Sequence, residues 1–133
     1  MMNADEKIEY WLDVAAYDIE TAQAMLKTKR FLYVGFMCHQ VIEKALKAYY
    51  WQKKREEPEY THNLIRLCEM SGLNEILTDD HVRLINTLMP LNIQARYPKD
   101  KMTLLKELDK ERCTDIFKRT RELFKWIEKL LKK

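Results

Sequence analysis

The segment FLYVGFMCHQVIEKALKAYYWQKK, residues 31–54, decides the architecture. Apolar side chains at Leu32, Val34, Phe36, Met37, Val41, Ile42, Ala45, Leu46, Ala48 and Tyr49 cover most of a helical circumference, so this helix needs neighbours on nearly every side and reads as the centre of the fold. Its polar residues are confined. At about 100° per residue, His39, Gln40, Glu43, Lys44 and Lys47 fall within an arc of roughly 140° and form one stripe, with Glu43 and Lys47 in the favourable i, i+4 order. Three arrangements satisfy that stripe: the wet side of the helix, a buried network joined to Asp18 across a helical hairpin, or a polar groove for a nucleotide or nucleic acid.

Upstream, Asn3 is a plausible N-cap with Asp5 and Glu6 in the first turn, and Ile8, Trp11, Leu12, Ala15, Ile19, Ala22 and Leu26 make one buried stripe. The basic break at 27–30 ends this helix. Downstream, the polar loop 55–60 with Pro58 leads to Thr61, which is positioned to cap a short helix over 63–70 that Ser71 and Gly72 stop. Thr78 followed by Asp79 and Asp80 opens a fourth helix through Val82, Leu84, Ile85 and Leu88, which Pro90 should end or kink. Residues 91–103 have weak periodicity and read as an irregular connection tipped by Arg96, Tyr97, Pro98 and Lys99. The last helix is expected over 104–131. The expected fold is all-α, an up-and-down bundle of three long and two short helices in one domain over 1–133.

Composition supports this reading and excludes others. The 133 residues include two Gly and three Pro, too few for the turns of a β-sandwich or barrel, and are 47% hydrophobic, enough for a core without metal or disulfide staples. No two glycines lie close together, so a phosphate-binding loop or dinucleotide fingerprint is excluded. His39, His62 and His81 lie on three different elements, without a second His or Cys at ligand spacing, and neither a metal nor a cofactor is expected. Cys38, Cys68 and Cys113 are odd in number and in apolar contexts, as for buried thiols of a reducing compartment. The longest apolar run falls far short of a membrane span, so a cytoplasmic protein without membrane association is expected.

The net charge of +3 is unevenly placed: residues 1–28 sum to −4, and residues 110–133 to +5. Either these are solvated faces of neighbouring helices that attract weakly, or the basic helix meets an anionic partner. Arg96 and Tyr97 precede Pro98, which favours extended geometry at Tyr97 and presents a guanidinium beside a phenol, a pair suited to phosphate and base.

Four successive blocks carry a resemblance: Trp11-x3-Ala15-x2-Asp18-Ile19-x2-Ala22, Cys38-His39-Gln40-x2-Glu43-Lys44-x2-Lys47, Thr61-His62-Asn63-Leu64, and Arg96-Tyr97-Pro98. Together they resemble the HEPN domain family over nearly the whole chain, the second and third blocks being the specific ones. The resemblance implies a helical bundle, commonly homodimeric, that binds nucleotides or RNA and is often encoded beside a minimal nucleotidyltransferase as toxin and antitoxin. The polar stripe and the Arg-Tyr-Pro tip supply the expected nucleotide- or RNA-binding surface: Arg96, Tyr97, Lys47 and Glu43, with Gln40, His39, Asp18 and His62.

The family's ribonuclease branch carries Arg followed after four to six residues by His, and here the sequence departs. No His follows Arg96 within the next seven residues. A formal match at Arg55 and His62 lies in the loop after the second helix and reads as coincidental, with His62 serving the turn. Metal-free RNA cleavage needs a group that moves protons near neutral pH, so the expectation is binding rather than catalysis. The alternatives are a metal-independent ribonuclease toxin using Arg55 with His62 or a site near Arg96, and a purely structural interaction module.

Overall fold

The computed structural model describes residues 2–94 and 98–132, and every regular element among them is helical. In chain order these are α1 (Ala4–Lys27), α2 (Phe31–Lys54), α3 (Leu64–Ser71), a single 3₁₀ turn (Leu73–Glu75), α4 (Asp79–Gln94), α5 (Pro98–Glu107) and α6 (Lys110–Leu131). Among the described residues, no helix is long and apolar enough to cross a membrane.

The boundaries follow local chemistry. Asn3 caps α1 in a reciprocal box: the Glu6 amide donates to Asn3 Oδ1 at 2.9 Å and the Asn3 amide to Glu6 Oε1 at 3.1 Å. α2 spans residues 31–54 as its apolar pattern predicts. For α3 the cap is Asn63 rather than Thr61: Asn63 Oδ1 accepts from the Arg66 amide at 3.0 Å, while the Thr61 hydroxyl accepts from the Asn63 amide and braces the cap from outside. Gly72 ends α3 at φ +80°, where a side chain would be strained. Thr78 caps α4, its hydroxyl accepting from the His81 amide at 3.2 Å.

The second half departs from expectation at three points. Pro90 lies inside α4, which continues to Gln94: one rung is lost, but Leu88, Leu91 and Asn92 are buried and hold the helix past it. Residues 91–103 are not an irregular connection, because α4 occupies their first part and α5 begins at Pro98, with proline at the first helical position where its missing N–H costs nothing. Nor does one helix run over 104–131. Asp109 interrupts it by capping α6, with its carboxylate accepting from the Arg112 amide at 2.8 Å. The bundle therefore has an additional helix beyond the three long and two short ones expected.

α2 is the axis and touches every other helix. Cys38, Val41, Ile42, Ala45 and Leu46 are fully enclosed, each large aliphatic side chain among them contributing about 2 kcal/mol by leaving water. Ala15 and Ala22, both fully buried, let α1 approach α2 along its length. A smaller cluster of Ile8, Ala48 and Trp51 closes one end. Cys38, Cys68 and Cys113 are free and buried.

Candidate functional site: a buried carboxylate with four nitrogens around it

On α2, one turn apart, stand His39, Glu43 and Lys47, all buried, with Glu43 at 0% exposure. Glu43 organises the site. Its Oε2 accepts from Lys47 Nζ at 2.9 Å and lies 3.6 Å from Lys44 Nζ, while its Oε1 lies 2.9 Å from His62 Nδ1 and 3.8 Å from His39 Nδ1. Lys47 Nζ also sits 5.1 Å from the centre of the Trp11 ring of α1, a cation–π contact away from bulk water. Beside this core, Lys44 Nζ donates to Gln40 Oε1 at 2.8 Å, and Gln40 Nε2 donates to Asn92 Oδ1 of α4 at 2.9 Å.

Burial pushes the Glu43 carboxyl up, but the Lys47 hydrogen bond and charge, the His62 hydrogen bond and the Lys44 charge outweigh it, so its pKa lies below the ordinary carboxylate value. The carboxylate is ionised and accepts only, so the hydrogen of the His62 bond is on Nδ1 and Nε2 is left as the open nitrogen of that ring. His62 is the most exposed member, its side chain 39% accessible, with Tyr60 edge-on to it. His39 is the opposite case. It is 1% exposed, neither ring nitrogen makes a hydrogen bond among the described residues, and burial lowers its pKa to about 4 despite Glu43 and the nearby backbone of His62, so the ring is neutral. Asp18 of α1 makes no hydrogen bond to the cluster; partial burial raises its carboxyl against the opposing pull of Lys44.

His39, Glu43 and Lys47 form a buried network, but it is joined to His62 rather than to Asp18, and the partly buried Gln40 and Lys44 form its border. His62 does more than serve the turn, since it reaches across from the loop before α3 to the Glu43 carboxylate. Arg55, the other half of the formal ribonuclease match, points its guanidinium to Asp5 at the start of α1, at 2.8 Å. Arg96 and Tyr97 lie outside the described residues. Asn92 escapes sequence reading because it falls in a stretch that lacks clear periodicity. Among the described residues, no three His, Cys, Asp or Glu side chains converge as metal ligands.

The model of the HEPN domain family matches residues 8–130, which takes in all of this constellation. The chain belongs to the HEPN family. A solved structure, that of TT1696 from Thermus thermophilus, is similar to this HEPN chain with a TM-score of 0.79 and 19% sequence identity, covering 96% of this chain and 98% of the other; at that identity the likeness is one of fold. No protein of curated function matches the chain significantly. Three of the four blocks that resemble the family thus meet in space around one carboxylate: Trp11 against Lys47, the Gln-x2-Glu-Lys-x2-Lys block itself, and His62 of the Thr-His-Asn-Leu block.

Proposed function

We propose that this HEPN protein is a single domain that binds a nucleotide or RNA without cleaving it, as a partner of a second copy of itself and of a minimal nucleotidyltransferase. The binding surface in this reading is the border of the buried network, with Gln40, Lys44 and His62 from the bundle, Lys47 and Glu43 holding them from within, and Arg96 and Tyr97 from the segment that follows α4. The observation that carries it is the Glu43 carboxylate, whose two oxygens fix His62 Nδ1 and Lys47 Nζ, each at 2.9 Å. A site held this way presents the His62 ring edge and the Lys44 ammonium in set positions, and the Gln40–Asn92 bond anchors α4 to the same border four residues ahead of Arg96 in the chain. Arg96 suits phosphate and Tyr97 suits a base.

The binding role is favoured over cutting because His39 is enclosed at 1% exposure, out of reach of a substrate, and Glu43 has both oxygens committed to Lys47 and His62. One observation favours the second reading, a metal-independent ribonuclease: a carboxylate that orients Nδ1 and frees Nε2 is how a histidine base is prepared for proton transfer. Two measurements separate them. Calorimetric titration with mononucleotides and short RNA is expected to show binding that Arg96→Ala and Lys44→Gln each weaken about tenfold, the loss of one charge-assisted contact. Incubation of labelled RNA with excess chelator is expected to leave it intact; cleavage abolished by His62→Ala would establish the ribonuclease instead. Absence of any nucleotide or RNA binding, with a copurifying nucleotidyltransferase, would leave only an interaction module.

A further inference from the structure

The outer face of α6 carries a second feature that the site above does not use. Lys118, Arg121, Lys125, Lys129 and Lys132 are all exposed. At about 100° and 1.5 Å per residue the first four fall within an arc of roughly 80° over about 17 Å of α6, and Lys132, its C-cap, continues the row at the end of the helix. No acidic residue lies inside that arc between Lys118 and Lys132; Glu122 and Glu128 flank it on either side. None of the five cations forms an ion pair among the described residues, whereas Arg119, on the neighbouring face, pairs with Asp115. Arg121 instead lies over the Phe117 ring, 5.3 Å from its centre.

We propose that this row is a docking track for the phosphate backbone of a single nucleic-acid strand, RNA under the function proposed above, on which the choice of RNA rests. The physical case is one of charge and geometry. Five unpaired cations in a line repel one another, and a linear polyanion removes that repulsion while releasing its own condensed counterions. An acidic protein surface has no such counterion atmosphere to release. Membrane insertion is not open to α6, because its apolar side, with Ile116, Leu123, Phe124 and Ile127, is already buried in the core. Four of the five cations are lysines, point charges on flexible stems that follow a phosphate chain without reading its sequence.

The test is fluorescence anisotropy of the full chain with labelled twelve-nucleotide oligouridylate and its oligothymidylate counterpart. For five neutralised phosphates on a single strand, affinity should fall about 100-fold between 50 and 200 mM salt, from a log–log slope of about −3.5. The triple variant Lys118→Gln/Lys125→Gln/Lys129→Gln changes only exposed side chains and is expected to bind about 100-fold more weakly at 0.1 M salt, with the slope reduced by about 2. Parallel losses for RNA and DNA support a track that reads phosphate alone. Binding by the triple variant that equals the parent's overturns the track, and so does lysine-dependent binding to phosphatidylserine vesicles, or lysine-dependent self-association, without oligonucleotide binding. Lys44→Gln, run beside it, separates the two proposals: if only Lys44→Gln weakens binding, the border of the network stands and the track falls, and if only the triple variant does, the track stands and the border falls.

Discussion

Glu43 is the residue on which the candidate site turns, and its removal separates two kinds of cost. Glu43→Ala leaves the Lys47 ammonium buried without its carboxylate and takes from His62 the charged partner that orients it, so we expect a loss of about 3–5 kcal/mol, read as a shift of the urea midpoint. Against the roughly 5–15 kcal/mol that holds a domain folded, that is a substantial share in one change. His39 gives a pH prediction. In the unfolded chain its ring takes up a proton as pH falls through about 6.5, but the folded protein withholds it down to about 4, so stability is full above the first value and is lost between the two. The interval corresponds to on the order of 3 kcal/mol. Glu43 adds in the same direction at lower pH, since a depressed folded carboxyl contributes above the unfolded value and loses that contribution on protonation. Urea melts across pH 7 to 4 should therefore fall steeply, and His39→Leu, which removes two unpartnered ring nitrogens from the interior, should flatten the upper part of the fall with little change at pH 7.

At the scale of elements, the packing of α2 against α4 and against the connection between α5 and α6 depends on the absence of a side chain at Gly35. A Cβ there would stand 2.9 Å from Leu91 Cδ1 and 3.6 Å from Leu108 Cδ1. Gly35→Ala has opposing terms, a gain of about 1 kcal/mol in helix propensity against displacement of one leucine methyl, and should change the melting temperature little. Gly35→Val should lower stability by about 1–3 kcal/mol through overpacking, measured as a clear fall in melting temperature. The same scale explains where sequence reading of the second half fails. Pro98 reads as a loop residue because proline breaks helices, yet it also starts them, and local pattern alone does not choose between the two. Asp109 reads as one more polar residue in a long amphipathic run, although an aspartate followed by helix-forming residues is also a cap.

Across the whole molecule, the three thiols report how the bundle opens. Cys38 and Cys68 are pushed up to about 12 and Cys113 to about 11 by burial, so none is nucleophilic while its helix is in place. Cys68 lies on α3, an eight-residue helix at the edge, whereas Cys38 lies on the axial α2. Reaction with a thiol reagent at neutral pH should therefore modify Cys68 first, through local opening, and Cys38 only at the rate of global unfolding, an order that mass spectrometry of partially labelled protein resolves. Equal rates at all three would mean that the bundle opens as one unit.

What the sequence determined by itself is what periodicity and end chemistry encode. The central helix over 31–54, the cap at Asn3, the stop at Gly72, the all-α bundle and the single polar stripe of His39, Gln40, Glu43, Lys44 and Lys47 are properties of one helix at a time, and a 100° step is enough to read them. Only the tertiary structure decided that the stripe faces inward, that His62, nineteen residues beyond Glu43, supplies a partner for its carboxylate, and that Asn92 meets Gln40 across fifty-two residues. Periodicity says which residues share a face but not what covers it, because covering depends on the path of other segments through space. A carboxylate becomes the centre of a site when enclosure removes water and leaves four nitrogens to take its place.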